Sequence, residues 1–138
     1  MIDDPMSSEN SRRLRAVYDT LESTGAWDSP GLLAADFELR QDPMLDAGRT
    51  FHGPGGPGEL LKVLEASFRD VVVEAERFVE GGGSDIVAMV RVSGQGRASG
   101  ITIDREQAHL WSFDGPTAVR MMVFGDRREG LQEAGLSE

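Results

Sequence analysis

LLAADFELRQDPM, residues Leu32 to Met44, changes its pattern halfway along. Leu32, Leu33 and Ala35 read as the apolar end of a helix; Phe37 and Leu39 then alternate with Glu38 and Arg40, the period of a strand with one buried face. Pro43 cannot donate to a sheet ladder, so the strand is expected to stop at Asp42. A carboxylate fixed at a strand end and facing an apolar cavity is a candidate general base. Arg40 shares the face of Asp42 in a regular strand, and pairing with it would lower the carboxyl pKa and make a charge clamp of it.

On the N-terminal side, Leu14, Val17, Tyr18 and Leu21 recur at spacings of three and four and line one face of a helix that Gly25 ends. Ser29 before Pro30 suits an N-cap and first helical residue, so a short second helix is expected to carry Leu32, Leu33 and Ala35 inward. Residues 1–8 read as a flexible polar tail and 9–138 as one domain. On the C-terminal side, LDAGRTFH allows at most one short strand before GPGGPG. Gly53, Gly55 and Gly58 match G-x-G-x-x-G, but Pro54 and Pro57 delete donors that phosphates need, and no βαβ series surrounds them. The run reads instead as a tight approach to a helix, Glu59 to Phe68, with Leu60, Leu61, Val63, Leu64 and Phe68 as its apolar stripe. From Val71 the period becomes two: Val71–Phe78, Asp85–Ser93, Gly100–Phe113 and Thr117–Phe124 read as strands joined by GGGS, GQGR and Asp114-Gly115. Asp126 caps a last short helix whose Leu131 and Leu136 pack back. Gly94, Gly96 and Gly100 sit where long strands need freedom to bend.

Charge and composition narrow the functions. The 138 residues carry a formal net charge of −10, which argues against nucleic acid and anionic membranes as partners. Without cysteine, and with only His52 and His109 as imidazoles, no metal centre or other cofactor is expected. No apolar leader or membrane span is visible, so a cytoplasmic location is the expectation. Helices first and a meander afterwards give an α+β class.

The order helix, helix, strand, helix and four long strands resembles the nuclear transport factor two-like superfamily, which includes ketosteroid isomerases and SnoaL-like polyketide cyclases. The likeness covers nearly the whole chain and rests on the tyrosine-bearing first helix ending in Gly25, the LLAADFELRQDP block, the glycine-led helix, and QGRASG through FDGPTAVRMMVFGD. It implies a curved antiparallel sheet forming a cone with helices packed on its concave face, a cystatin-like α+β barrel. It also implies an apolar pocket for a small hydrophobic ligand. Asp42-Pro43 matches the catalytic Asp-Pro of ketosteroid isomerase, and Tyr18, seven residues before Gly25, matches its oxyanion-hole tyrosine. The third member of that site, a protonated aspartate, is replaced by Ala108. The implied activity is isomerisation, cyclisation or dehydration of a hydrophobic carbonyl compound with Asp42 as base and Tyr18 as donor; the alternative is a non-catalytic binding or dimerisation module. The family's alignment turns Ala108 and Leu110 toward the cavity, where Leu21, Val63, Leu64, Ile86, Ala88, Val90, Val92, Met121 and Val123 complete an apolar lining. His109, Trp111 and Phe113 then fall on the convex face with Ile101 and Ile103, an apolar surface suited to a homodimer. One β-bulge would exchange the two faces.

Overall fold

A computed structural model describes residues 8–42, 48–80 and 84–136. Most of the tail expected at residues 1–8, the Pro43 strand stop and the GGG part of the GGGS connection lie outside the described residues. Helix α1 spans Glu9–Thr24: the Ser8 hydroxyl accepts from the Ser11 N–H at its start, and Gly25, at φ 74°, closes it left-handed. Leu14, Val17, Tyr18 and Leu21 form its buried stripe, as the spacing requires. The second helix does not form. Gly31 takes φ 70°, outside helical space, so residues 30–32 turn and strand β1 begins directly at Leu33–Gln41.

Strand β2, Thr50–His52, pairs with β1, and helix α2, Gly56–Ser67, follows. It begins three residues before Glu59 because Pro57 is tolerated in the first turn, where its missing N–H would have no helical partner. Four strands come next: β3 (Phe68–Glu80), β4 (Ile86–Gly96), β5 (Thr102–Asp114) and β6 (Thr117–Phe124), then helix α3 (Arg127–Glu133). The sheet order is β2-β1-β6-β5-β4-β3. The sheet is mixed rather than wholly antiparallel, because β1 lies parallel to β6 while every other pair is antiparallel. It is open rather than closed as a barrel; α2 touches β1, β2 and β3 and so spans the gap between the edges. β3 bends near Asp70, whose φ of 54° marks a register shift between Arg69 and Val72. Opposite lies Gly94, where a Cβ would stand 3.3 Å from the Arg69 carbonyl oxygen.

Two apolar layers result. Inside the curve, α1 packs on Phe37, Leu39, Ile86, Ala88, Val90, Val92, Trp111, Phe113, Met121 and Val123. On the outer face, Val87, Met89, Ala108 and Leu110 pack with Leu131 of α3, so the helices occupy both faces and not the concave one alone. The two faces of β5 are therefore the reverse of the expectation. The 97–100 turn sets a register that pairs Ile86 with Trp111, Ala88 with His109 and Val90 with Gln107. Directly paired residues share a face, so an inward Ala88 obliges His109 to point inward and sends Ala108 and Leu110 out. His109, Trp111 and Phe113 are buried and cannot form a dimer surface; of that set Ile101 is 66% exposed and Ile103 half-buried. Ala108 is small for another reason: a Cβ on Gly130 of α3 would come within 2.5 Å of its own Cβ.

Candidate functional site

Four polar groups from α1 and β5 meet inside the curve. Trp111, with its indole wholly buried, can only donate, and its Nε1–H lies 3.1 Å from the Tyr18 hydroxyl. His109 Nε2 faces an acceptor, Gln107 Oε1, at 3.3 Å, so the proton of a neutral imidazole sits on Nε2. Nδ1 then accepts from the Tyr18 hydroxyl, 2.6 Å away. Burial holds the His109 pKa down to about 3, so the ring is neutral near pH 7. Burial likewise pushes the Tyr18 hydroxyl well above its usual range, with the Trp111 hydrogen bond pulling the other way. The chain Trp111 to Tyr18 to His109 to Gln107 has one direction, set by the indole donor at one end and the amide oxygen acceptor at the other.

Beside this chain lies a narrow cavity lined by Tyr18, Leu21, Trp27, Leu39, Pro57, Leu60, Leu61, Leu64, Val73, Val92, Gln107, His109 and Met121. Its free volume is about 40 Å³, room for about one water molecule. The sequence placed Tyr18, Leu21, Leu64, Val92 and Met121 here. Ile86, Ala88, Val90 and Val123 lie under the floor as inner core, and Val63 packs against that core. Ala108 and Leu110 are on the other side of the sheet. Leu39, Pro57, Leu60, Leu61, Val73, Trp27, Gln107 and His109 were missed as lining. The hairpin register carried the signal for the last two, since Val90 and Ala88 pair with them; Trp27 sits in a turn-rich segment that has no periodicity to read.

Asp42 stands apart. Its N–H donates to the Val123 carbonyl at 2.8 Å, its side chain is half-buried, and it does not line the cavity. Arg40 contacts Glu38 on the face that Phe37 and Leu39 turn away from. Among the described residues no cluster of His, Asp and Glu could hold a metal ion, and no helix is long and apolar enough to cross a membrane.

No family model matches the sequence, and no curated protein matches it. Solved structures match over nearly the full length. An NTF2-like protein of unknown function from Burkholderia pseudomallei is 20% identical, with a TM-score of 0.71 over 93% of this chain and 98% of that one. A protein from Jannaschia classed as a SnoaL-like polyketide cyclase is 17% identical, with a TM-score of 0.68 over 90% of each chain. A hypothetical protein of ketosteroid isomerase-like fold from Catenulispora acidiphila, in complex with trimethylamine, is 15% identical, with a TM-score of 0.64 over 95% of each chain. The fold is thus the NTF2-like, ketosteroid isomerase-like α+β cone. At these identities the likeness reaches the fold and no further.

Proposed function

We propose that the chain binds a small, largely apolar molecule between α2 and the inner face of the sheet, with a hydrogen-bond acceptor of the guest, such as a carbonyl oxygen, directed to His109 and Gln107. The observation that carries this is the incomplete seating of α2. Leu60, Leu61, Val63 and Leu64 are all only half-buried, and the helix buries nothing but Gly56 and Pro57. An apolar stripe of that size is expected to be fully covered, and a guest that lifts α2 to widen the narrow cavity beneath it would supply the missing contact. The complex of one fold neighbour with trimethylamine supports small-molecule binding on this scaffold.

Turnover by Asp42 and Tyr18 fits the geometry less well. Asp42 is off the cavity, the Tyr18 proton is committed to His109, and an imidazole with a pKa near 3 is a weak base at neutral pH. Binding without chemistry is the reading these positions support. Calorimetry with tetralone and its hydrocarbon, tetralin, tests it. Tetralone should bind about tenfold more tightly, one good hydrogen bond's worth, and His109→Phe should erase that preference. Leu60→Trp, which fills the space under α2, should abolish both. No heat from either compound with the parent protein at two well-separated temperatures would overturn the proposal.

A further inference from the structure

Trp27 lies on the segment between α1 and β1, and its position is unlike that of a core side chain. It is half-buried, yet its indole stacks on the wholly buried Trp111, ring centroids 5.8 Å apart and planes 9° from parallel. Its edge meets Tyr18 at 5.9 Å, and it lines the cavity whose free volume is about 40 Å³. Its polar tie is local: Nε1–H donates to the Ser29 hydroxyl two residues away, 2.8 Å. Gly25 and Gly31, both left-handed at φ 74° and 70°, bracket the segment. Glycine is the residue least restricted in φ and ψ, so this short segment can change course at either end, where hinge motions are absorbed.

We propose that Trp27 is a resident occupant of an aromatic subsite on the face of Trp111, and that the guest which displaces it is a planar aromatic molecule with an oxygen at one end. The proposal rests on the cavity reading above and deepens it by naming the ligand class. When the loop swings out, the exposed surface is the flat face of Trp111, walled by the edge of Tyr18 and by Leu60, Leu61 and Leu64. An aromatic ring recovers the stacking that Trp27 gives up; a puckered saturated ring of the same size recovers only the apolar contact. Two residues along β5, on the same face, is His109. That step is roughly 7 Å along a strand, which suits a fused bicyclic ring whose terminal oxygen reaches the imidazole Nε2–H. Trp27 matches half of this description, an aromatic bicycle whose polar atom is turned to Ser29 instead of His109.

The test uses naphthol and its saturated counterpart decalol against three proteins: the parent chain, Trp27→Ala and Ser29→Ala. Removing the occupant removes the work of displacing it, so Trp27→Ala should bind naphthol about tenfold more tightly than the parent does, and Ser29→Ala, which frees the loop and leaves the core intact, a few-fold more tightly. Naphthol should exceed decalol by a similar factor in Trp27→Ala. In the parent protein, naphthol should shift the Trp27 indole N–H resonance toward that of an exposed indole while the Trp111 resonance keeps its ring-current shift. Equal affinities of Trp27→Ala, Ser29→Ala and the parent for naphthol, or equal affinities for naphthol and decalol, would overturn this inference while leaving a cavity that binds. Should neither compound bind any of the three proteins, the cavity reading falls with it.

Discussion

His109 shows how much one side chain's setting decides. Its unfolded pKa is near 6.5 and its folded value near 3, lowered by burial, so the unfolded chain holds the extra proton between those values. The contribution is fully favourable above pH 6.5 and is lost as pH falls toward 3, at up to about 1.4 kcal/mol per unit. The stability of the parent protein, measured by urea unfolding, should therefore decline on acidification, and His109→Gln should show a shallower decline over pH 6 to 4, the two curves converging as pH drops. A slope unchanged by the substitution would mean that the imidazole is solvated. The sequence placed His109 on the convex face and offered Tyr18 as a donor without naming its partner. The pairing could not be read locally, because the two residues are 91 positions apart and only the register of β4 against β5 brings the imidazole to the hydroxyl.

At the scale of elements, β5 explains what was legible and what was not. Its existence and extent followed from alternation, as did β3, β4 and β6, to within a few residues. Its facing did not, because Ala108, His109, Leu110 and Trp111 are all buried, the outer pair by α3 and the inner pair by α1 and the core. A strand covered on both faces has no polar side to give its alternation a sign. The same close approach makes a prediction about α3. Gly130→Ala places a methyl 2.5 Å from the Ala108 Cβ and 3.4 Å from the Phe124 ring, so the helix must lift. The expected cost is about 1–3 kcal/mol of unfolding free energy, with faster proteolysis of the C-terminal segment. Retained stability would mean that α3 is already loosely held. The absent second helix has an equally local cause in Gly31, which the Ser29-Pro30 pair masked.

For the whole molecule, the outer face carries charge where an apolar dimer surface was expected. Arg91 bonds Glu76 at 3.2 Å, Asp104 at 2.9 Å and Glu106 at 3.3 Å; Arg127, the first residue of α3, bonds Glu76, Glu106 at 3.2 Å, and the carbonyls of Val90 and Gln107. Two cations thus tie three strands and a helix together in a chain that is otherwise strongly acidic. The Arg127 hydrogen bond, ahead of its other influences, holds the Glu76 carboxyl below the usual carboxylate range. Since that folded pKa is depressed, the linked stability is present above the unfolded pKa and fades as pH falls through the folded one. Arg127→Leu should bring the Glu76 titration, followed by carboxyl-carbon NMR, back toward ordinary values and lower stability by about 1–2 kcal/mol. An unchanged Glu76 midpoint would assign the shift to Arg91 alone. The overall cone was readable because element order and period survive any local misreading; the outer face was not, because it depends on where a seven-residue helix comes to rest.

The stacked indoles also give the protein an optical label of its own. Its only two tryptophans are held 5.8 Å apart and nearly parallel. Aromatic rings held in one fixed asymmetric arrangement are optically active, so the near-ultraviolet circular dichroism of the native chain should carry tryptophan bands that Trp27→Ala weakens. The same bands, followed in an unlabelled sample, would report in real time any ligand that separates the two rings.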